Sequence, residues 1–272
     1  FRCVFCASSR YWDHVRFFSP AYVFSELEKL SKESGPKMIS FYDDLFVADK
    51  KRLHDIATLV EQSDLAGKIK FTCSCRSNLV TEEIVADLKR MGVVSVGMGL
   101  ESGNPRILYY LKGKTVTVED NRRAIELLTS AGIKANASFI IGSPDETEKE
   151  MMDTYDFIRK SKLSFVDIYL LTPLPGTPVW DFAKSRGLVS DDMDWDKLNI
   201  NFEVNHANAI ILSEALNRER LYKIYKKFRR QRLVRNLHSL ITHPMLLDLP
   251  KIAVGTTKEK VVRFLSGQSS RD

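Results

Sequence analysis

Val94-Ser-Val-Gly-Met-Gly-Leu100 and Lys134-Ala-Asn-Ala-Ser-Phe-Ile-Ile141, with a helix-forming stretch over 117–131 between them, decide how the chain folds. Each run is short and mainly apolar, as a strand of a parallel sheet must be when both its faces are covered. The intervening segment has helical character and stops at Gly132, a residue suited to the left-handed position just past a helix end. Working outward, the same strand, loop and helix rhythm returns at roughly 30-residue intervals, the size of one strand-helix unit. It predicts further strands over 37–42, 69–75 and 165–171. Helices are predicted over 49–62, 81–91 and 147–160, the second ending at Gly92. A first helix has Ser19 as N-cap and Pro20 at its first position, runs through Val23, Leu27 and Leu30, and stops near Gly35-Pro36. Such alternation specifies an α/β protein but leaves an open doubly wound sheet and a barrel equally available.

After Leu171 the rhythm breaks. Thr172-Pro-Leu-Pro-Gly-Thr-Pro178 cannot continue a strand, because proline lacks the ladder donor. A short helix over 179–186, an acidic run Asp191-Asp-Met-Asp-Trp-Asp196 and a basic helix follow. Between Arg218 and Arg235 lie nine Lys or Arg against one Glu, interleaved with Leu221, Ile224, Tyr225, Phe228 and Leu233. The simplest reading is an apolar stripe packed on the core beneath a solvated basic face. Nucleic acid, an anionic lipid surface or a partner is the functional alternative. From Pro244 the chain grows polar and reads as a frayed tail.

The 272 residues are 44% hydrophobic and 28% charged, enough to bury one full-sized core. No run approaches the roughly 18 apolar residues of a membrane span, and no signal-peptide zones open the chain, so a cytoplasmic location is expected. The net charge of +6 permits an anionic partner without naming one. Four cysteines fall into two close pairs, Cys3/Cys6 and Cys73/Cys75. That spacing suits metal or redox chemistry in a reducing compartment better than a disulfide scaffold.

Cys-x-x-Cys alone is shared by zinc sites, thioredoxin-like proteins and iron-sulfur sites. Here it stands in Phe1-Arg-Cys-Val-Phe-Cys6 and is followed, in order, by other phrases: Ser40-Phe-Tyr-Asp-Asp-Leu-Phe46, Val96-Gly-Met-Gly-Leu-Glu-Ser-Gly103, Ser138-Phe-Ile-Ile-Gly-Ser-Pro-Asp-Glu-Thr147 and Leu171-Thr-Pro-Leu-Pro-Gly-Thr-Pro178. Each phrase after the first ends a predicted strand, where barrel and doubly wound folds assemble their sites. Together they resemble the core of the radical S-adenosylmethionine superfamily. The first phrase resembles the last two thirds of its Cys-x-x-x-Cys-x-x-Cys signature. The first cysteine of that signature is expected at the second residue before Phe1, with a strand before it.

The resemblance implies a partial TIM-type (β/α)6 barrel over 1–180 and a mainly helical extension over 181–272. It implies a 4Fe-4S cluster held through Cys3 and Cys6, with a flavodoxin- or ferredoxin-like protein as electron donor. Three thiolates leave one iron open to chelate the methionine moiety of S-adenosylmethionine, whose reductive cleavage gives a 5′-deoxyadenosyl radical. Phe5 is the aromatic residue before the last cysteine. Asp43, or Asp44 beside it, stands with Tyr42 where the family receives the methionine ammonium; a pair of acids capping a turn is the bland alternative. Glu101 stands where a carboxylate accepts the ribose hydroxyls. Lys112 or Lys114 stands where a basic residue meets the methionine carboxylate. Ser138, Ile140 and Gly142 occupy the strand end against the adenine, with Ser138 in place of a glycine, and the backbone near Leu171 faces the adenine edge.

Within the superfamily the phrases look most like members carrying an N-terminal cobalamin-binding domain, many of which methylate unactivated carbons. A methylthiotransferase-like or other radical rearrangement enzyme is the alternative. The substrate, whether small molecule, lipid or macromolecule, is not written in these residues. From a different class comes a zinc-bound structural or nucleic-acid-binding module, with Cys73 and Cys75 on one strand face completing a four-cysteine site. Arg76, at the same strand end, suits either a carboxylate of substrate or cofactor or an internal ion pair. The histidines, His14, His54 and His206 among them, have no metal-like spacing.

Overall fold

The computed structural model describes residues 1–12 and 14–241, so the expected polar tail from Pro244 lies outside the described residues. The strands are β1 (Met38–Ser40), β2 (Lys70–Cys75), β3 (Val93–Glu101), β4 (Lys134–Ile141) and β5 (Phe165–Leu170). The helices are α1 (Ser8–Tyr11), α2 (Pro20–Ser34), α3 (Lys50–Glu61), α4 (Glu82–Met91), α5 (Pro105–Lys112), α6 (Val118–Ser130), α7 (Glu148–Lys160), α8 (Pro178–Ser185), α9 (Phe202–Asn205) and α10 (Arg218–Ile241). Several helices start one residue after the expected position because the polar residue there is the cap. Asp49, Thr81, Thr117 and Thr147 each accept a backbone N–H of the first turn.

All strand pairs are parallel, and their order in the sheet is their order in the chain. That order settles what the sequence pattern left open. A doubly wound sheet reverses direction at some strand, whereas repeated right-handed crossovers in one direction place every helix on the same face and begin a barrel. The fold is therefore a partial TIM-type barrel with a helical extension.

Side chains alternate across this sheet, as the period of two requires. Phe71, Val96, Met98, Ala137, Phe139 and Ile168 are buried on the face toward the helices, where the Phe139 ring lies 6.0 Å from that of Phe157 on α7. The other row holds Ser40, Thr72, Ser74, Ser95, Gly97, Asn136, Ser138 and Asp167, all only partly covered or exposed. Burial on both faces was expected; most of this row is instead polar and partly open, while Ile140 at the end of β4 is buried. The inner face is polar and bonds along itself, Thr72 Oγ1 to Ser40 Oγ at 2.8 Å and Asn136 Nδ2 to Ser95 Oγ at 2.8 Å.

The extension is fastened to the barrel. Leu221, Ile224, Tyr225 and Phe228 of α10 join the main core, but Leu233 is 52% exposed, so the apolar stripe ends earlier than its spacing suggests. The basic face is not simply solvated. Arg220 pairs with Glu148 at 2.7 Å, Arg229 with Glu203 at 2.5 Å, and Arg235 donates to the carbonyls of Ile158, Ser161 and Leu163 behind α7. The Asn236 amide bonds both backbone groups of Val166, at 2.9 and 3.1 Å, and so occupies part of the free edge of β5. No described helix is long and apolar enough to cross a membrane.

Candidate active site

A second apolar cluster, centred on Ile107, Leu111, Ile140, Leu171, Val179 and Trp180, positions the cysteine loop. Val4 and Phe5 pack against it, Val4 N donates to Leu111 O at 3.0 Å, and Val179 N donates to Val4 O at 3.4 Å. The loop is thereby pinned between the end of α5 and the start of α8. Cys3 and Cys6 then face a cleft of about 600 Å³, joined by a turn in which Cys6 N reaches Cys3 O at 3.3 Å. Both thiols are half-buried and outside any disulfide.

Phe5, Asp43, Asp44, Glu101 and Lys112 line the same cleft. Asp43 and Asp44 stand on the loop after β1, where both are exposed. Among the described residues neither carboxylate caps a turn, so the bland alternative for this pair finds no bond to support it. Tyr42 points away, at 96% exposed, and Lys114 lies in the solvent. Of the two lysines, only Lys112 reaches the cleft, carried there by α5. Ser138 lies in the polar inner row, whereas Ile140 and Leu171 are buried in the cluster that supports Phe5.

Glu101 is the strained residue. It has φ of 64°, the only positive φ outside glycine among the described residues, at a register shift where β3 leaves β4. The left-handed conformation costs a non-glycine residue roughly 1–2 kcal/mol and is kept only where neighbours impose it. Those neighbours are Ser102 and Gly103. Thr154 Oγ1 on α7 bonds Ser102 Oγ and Gly103 N at 3.0 Å each, and a side chain at Gly103 would run into Phe157 and the Thr154 backbone. Asn104 then caps α5 through Arg106 N and Ile107 N. The Glu-Ser-Gly phrase is thus a sharp turn anchored on α7 that folds one carboxylate back over Gly99.

That carboxylate is buried, with Lys112 Nζ 3.9 Å from its Oε1, while Lys112 also donates to Gly99 O. Burial pushes the Glu101 carboxyl up, opposed by Lys112 and Arg76. Burial likewise pushes the Lys112 ammonium down, opposed by Glu101. Desolvation dominates both, which describes a pair held together but short of partners.

Among the described residues Arg76 forms no ion pair, contrary to one expectation for it; its Nη1 donates to Cys3 Sγ at 3.3 Å. The four-cysteine zinc site is not formed. Cys73 and Cys75 are buried in the core, Cys75 where it also borders the cleft, and no cluster of three metal-binding side chains occurs among the described residues. Burial pushes the Cys73 thiol up to about 12 and Cys75 up as well, as expected of cysteines packed among apolar neighbours. His54 instead pairs with Asp87 at 3.1 Å and His206 stacks on Tyr222, while His14 lies on the cleft wall. The sequence reading passed over Trp12, Arg16 and Phe17, which wall the cleft beside the cysteines. Their signal was the aromatic and basic density of Arg10–Phe18.

The donor chemistry fits an iron-sulfur cluster. Two free thiols open to a cavity, one accepts a bond from a guanidinium, and a second buried cation stands nearby. Residues 1–158 match the model of the Radical SAM superfamily. The chain belongs to the radical SAM superfamily. An uncharacterized methyltransferase of Pyrococcus horikoshii is 37% identical over 198 residues, covering 72% of this chain and 42% of the relative. The anaerobic magnesium-protoporphyrin IX monomethyl ester cyclase of Cereibacter sphaeroides is 26% identical, covering 80% of this chain and 35% of the relative. The chain therefore spans well under half the length of these two proteins. Among solved structures, the radical S-adenosylmethionine methyltransferase TsrM of Kitasatospora setae, with cobalamin and a 4Fe-4S cluster bound, superposes with a TM-score of 0.61 at 20% identity over 69% of this chain and 35% of that one. This radical SAM core shares that fold.

Proposed function

We propose that this chain is the S-adenosylmethionine-cleaving core of a cobalamin-dependent radical methyltransferase. The observation that carries the reading is the single cleft in which the Cys3 and Cys6 thiols meet Asp43, Asp44 and the buried Glu101–Lys112 pair. When bound, the cluster and S-adenosylmethionine supply one-electron reduction and a carbon radical. Cys3 and Cys6 would hold the cluster. Asp43 or Asp44 would receive the methionine ammonium, and Lys112 would meet the methionine carboxylate. Glu101 accepts the ribose hydroxyls, which supply the donors its buried oxygens lack. Phe5 lines the cleft and would offer an apolar surface to the adenine, with Ile140 and Leu171 in the buried cluster it packs against. The polar inner row of the sheet would suit a substrate with polar groups, and a flavodoxin- or ferredoxin-like protein would deliver the electron.

The methyltransferase subclass is favoured by the relative at 37% identity. The complete protein, reconstituted anaerobically with iron, sulfide and cobalamin and then given S-adenosylmethionine with a deuterated methyl group, should form deuterated methylcobalamin by mass spectrometry. Formation of 5′-deoxyadenosine with no methylcobalamin would keep the superfamily and overturn the subclass.

A further inference from the structure

Arg76 follows the last residue of β2 and is 5% exposed. Its guanidinium is held from several sides. Nη1 donates to Cys3 Sγ at 3.3 Å, Nη2 donates to Thr115 Oγ1 at 2.6 Å and reaches the Lys112 carbonyl at 3.5 Å, and the Phe1 ring centroid lies 4.0 Å from the guanidinium carbon. Buried Nε has no partner. The fork is therefore fixed in orientation before any ligand arrives.

Its charge is not balanced locally. Arg76 and Lys112 are two buried cations, and Glu101 is the one buried carboxylate beside them, near Lys112. A buried cation without a counter-charge is costly unless the site is completed by an anion. Cys3 Sγ is the atom the guanidinium points at. A thiol is a weak acceptor there, whereas a thiolate makes a charge-assisted bond.

We propose that Arg76 is a positioning and tuning residue for the cluster: it holds the Cys3 sulfur in its ligating orientation and sets a fixed positive charge beside the iron-sulfur group. This rests on the reading of Cys3 and Cys6 as cluster ligands. A 4Fe-4S core of charge 2+ on three thiolates is an anion overall. Accepting one electron from the reductant makes it more negative by one unit, with no other atom transferred. A nearby cation, and a hydrogen bond to a ligand sulfur, favour that reduced form and raise the potential. Thr115 and Phe1 keep the guanidinium in place, so the effect is built into the fold.

The test is a potentiometric titration of the cluster by electron paramagnetic resonance in the complete, anaerobically reconstituted protein, with dithionite as reductant. Wild type, Arg76→Gln and Arg76→Lys are compared at matched iron content. Arg76→Gln should weaken the one-electron reduction equilibrium at least tenfold, a midpoint about 59 mV lower. Arg76→Lys, which restores charge without the fork, should recover part of that shift. A merely structural role would lower melting temperature or loading without moving the midpoint of the molecules that retain cluster. An Arg76→Gln protein with normal cluster content and an unchanged midpoint overturns the proposal. If Arg76→Gln holds no cluster, retention by Arg76→Lys supports it, and loss in both variants with lowered melting of the cluster-free proteins overturns it. A wild type that binds no cluster would instead fail the underlying functional reading.

Discussion

Glu146 is buried in the turn between β4 and α7, where its Oε2 accepts Gly142 N at 2.8 Å and Ser143 N at 3.0 Å and its Oε1 has no partner. Burial pushes its carboxyl from 4.5 up to about 7, against the lowering effect of the two amides. At 1.36 kcal/mol per unit this corresponds to about 3 kcal/mol of proton-linked stability. The folded protein holds the proton more tightly than the unfolded chain. The contribution is complete below about pH 4.5, where both states are protonated, and is lost as pH rises to about 7, since the unfolded state ionises first. Glu146→Gln removes the titration and keeps an oxygen for the two amides. Urea unfolding of wild type and variant across pH 4.5 to 7.5 isolates this group from the other acids, because their slopes cancel in the difference. Relative to wild type, the variant should gain about 3 kcal/mol over that range. A difference that stays flat with pH would refute the assignment of a buried, protonated carboxyl.

Gly142→Ala should lower the melting temperature, because φ is +87° there and the added Cβ would lie 2.7 Å from Leu170 Cδ1. Gly132→Ala, at φ of +80° with nothing within 4 Å, should cost less. Glu101→Gln should weaken S-adenosylmethionine binding to the cluster-loaded protein by about 1.5–3 kcal/mol, read by titration calorimetry. Equal affinity with a lowered melting temperature would instead make Glu101 a structural partner of Lys112. Because five of the nine cations, Arg218, Arg220, Arg229, Arg232 and Arg235, are spent on carboxylates and carbonyls, α10 should show at most weak salt-sensitive binding to anionic liposomes or nucleic acid. Strong co-sedimentation at low salt that disappears at high salt would contradict this.

Strand positions were legible because β3 and β4 are apolar runs bounded by glycine and acid, and their ends differ from the expected ones by a residue at most. The cleft residues were legible through family-like phrases, which after the cysteine loop fall at strand ends. The helix α5 was missed although Asn104 and Pro105 form a cap and first position, since the preceding Glu-Ser-Gly reads locally as a loop. The polar inner face was missed because Ser, Thr and Asn interspersed with Val and Phe look like imperfect apolar strands until neighbours are aligned. The choice of Lys112 over Lys114 depends on how α5 packs back over the Glu101 turn, and the contact of Arg76 with Cys3 spans 73 residues of chain; no local pattern encodes either.

The central claim is that Cys3 and Cys6 ligate a cluster that cleaves S-adenosylmethionine. The direct measurement is 5′-deoxyadenosine formed by the complete, anaerobically reconstituted protein under dithionite, quantified by liquid chromatography with iron content determined on the same samples. Wild type should form it, and Cys3→Ala and Cys6→Ala should lose both cluster and product. Unchanged iron content and undiminished 5′-deoxyadenosine in Cys6→Ala would contradict the account.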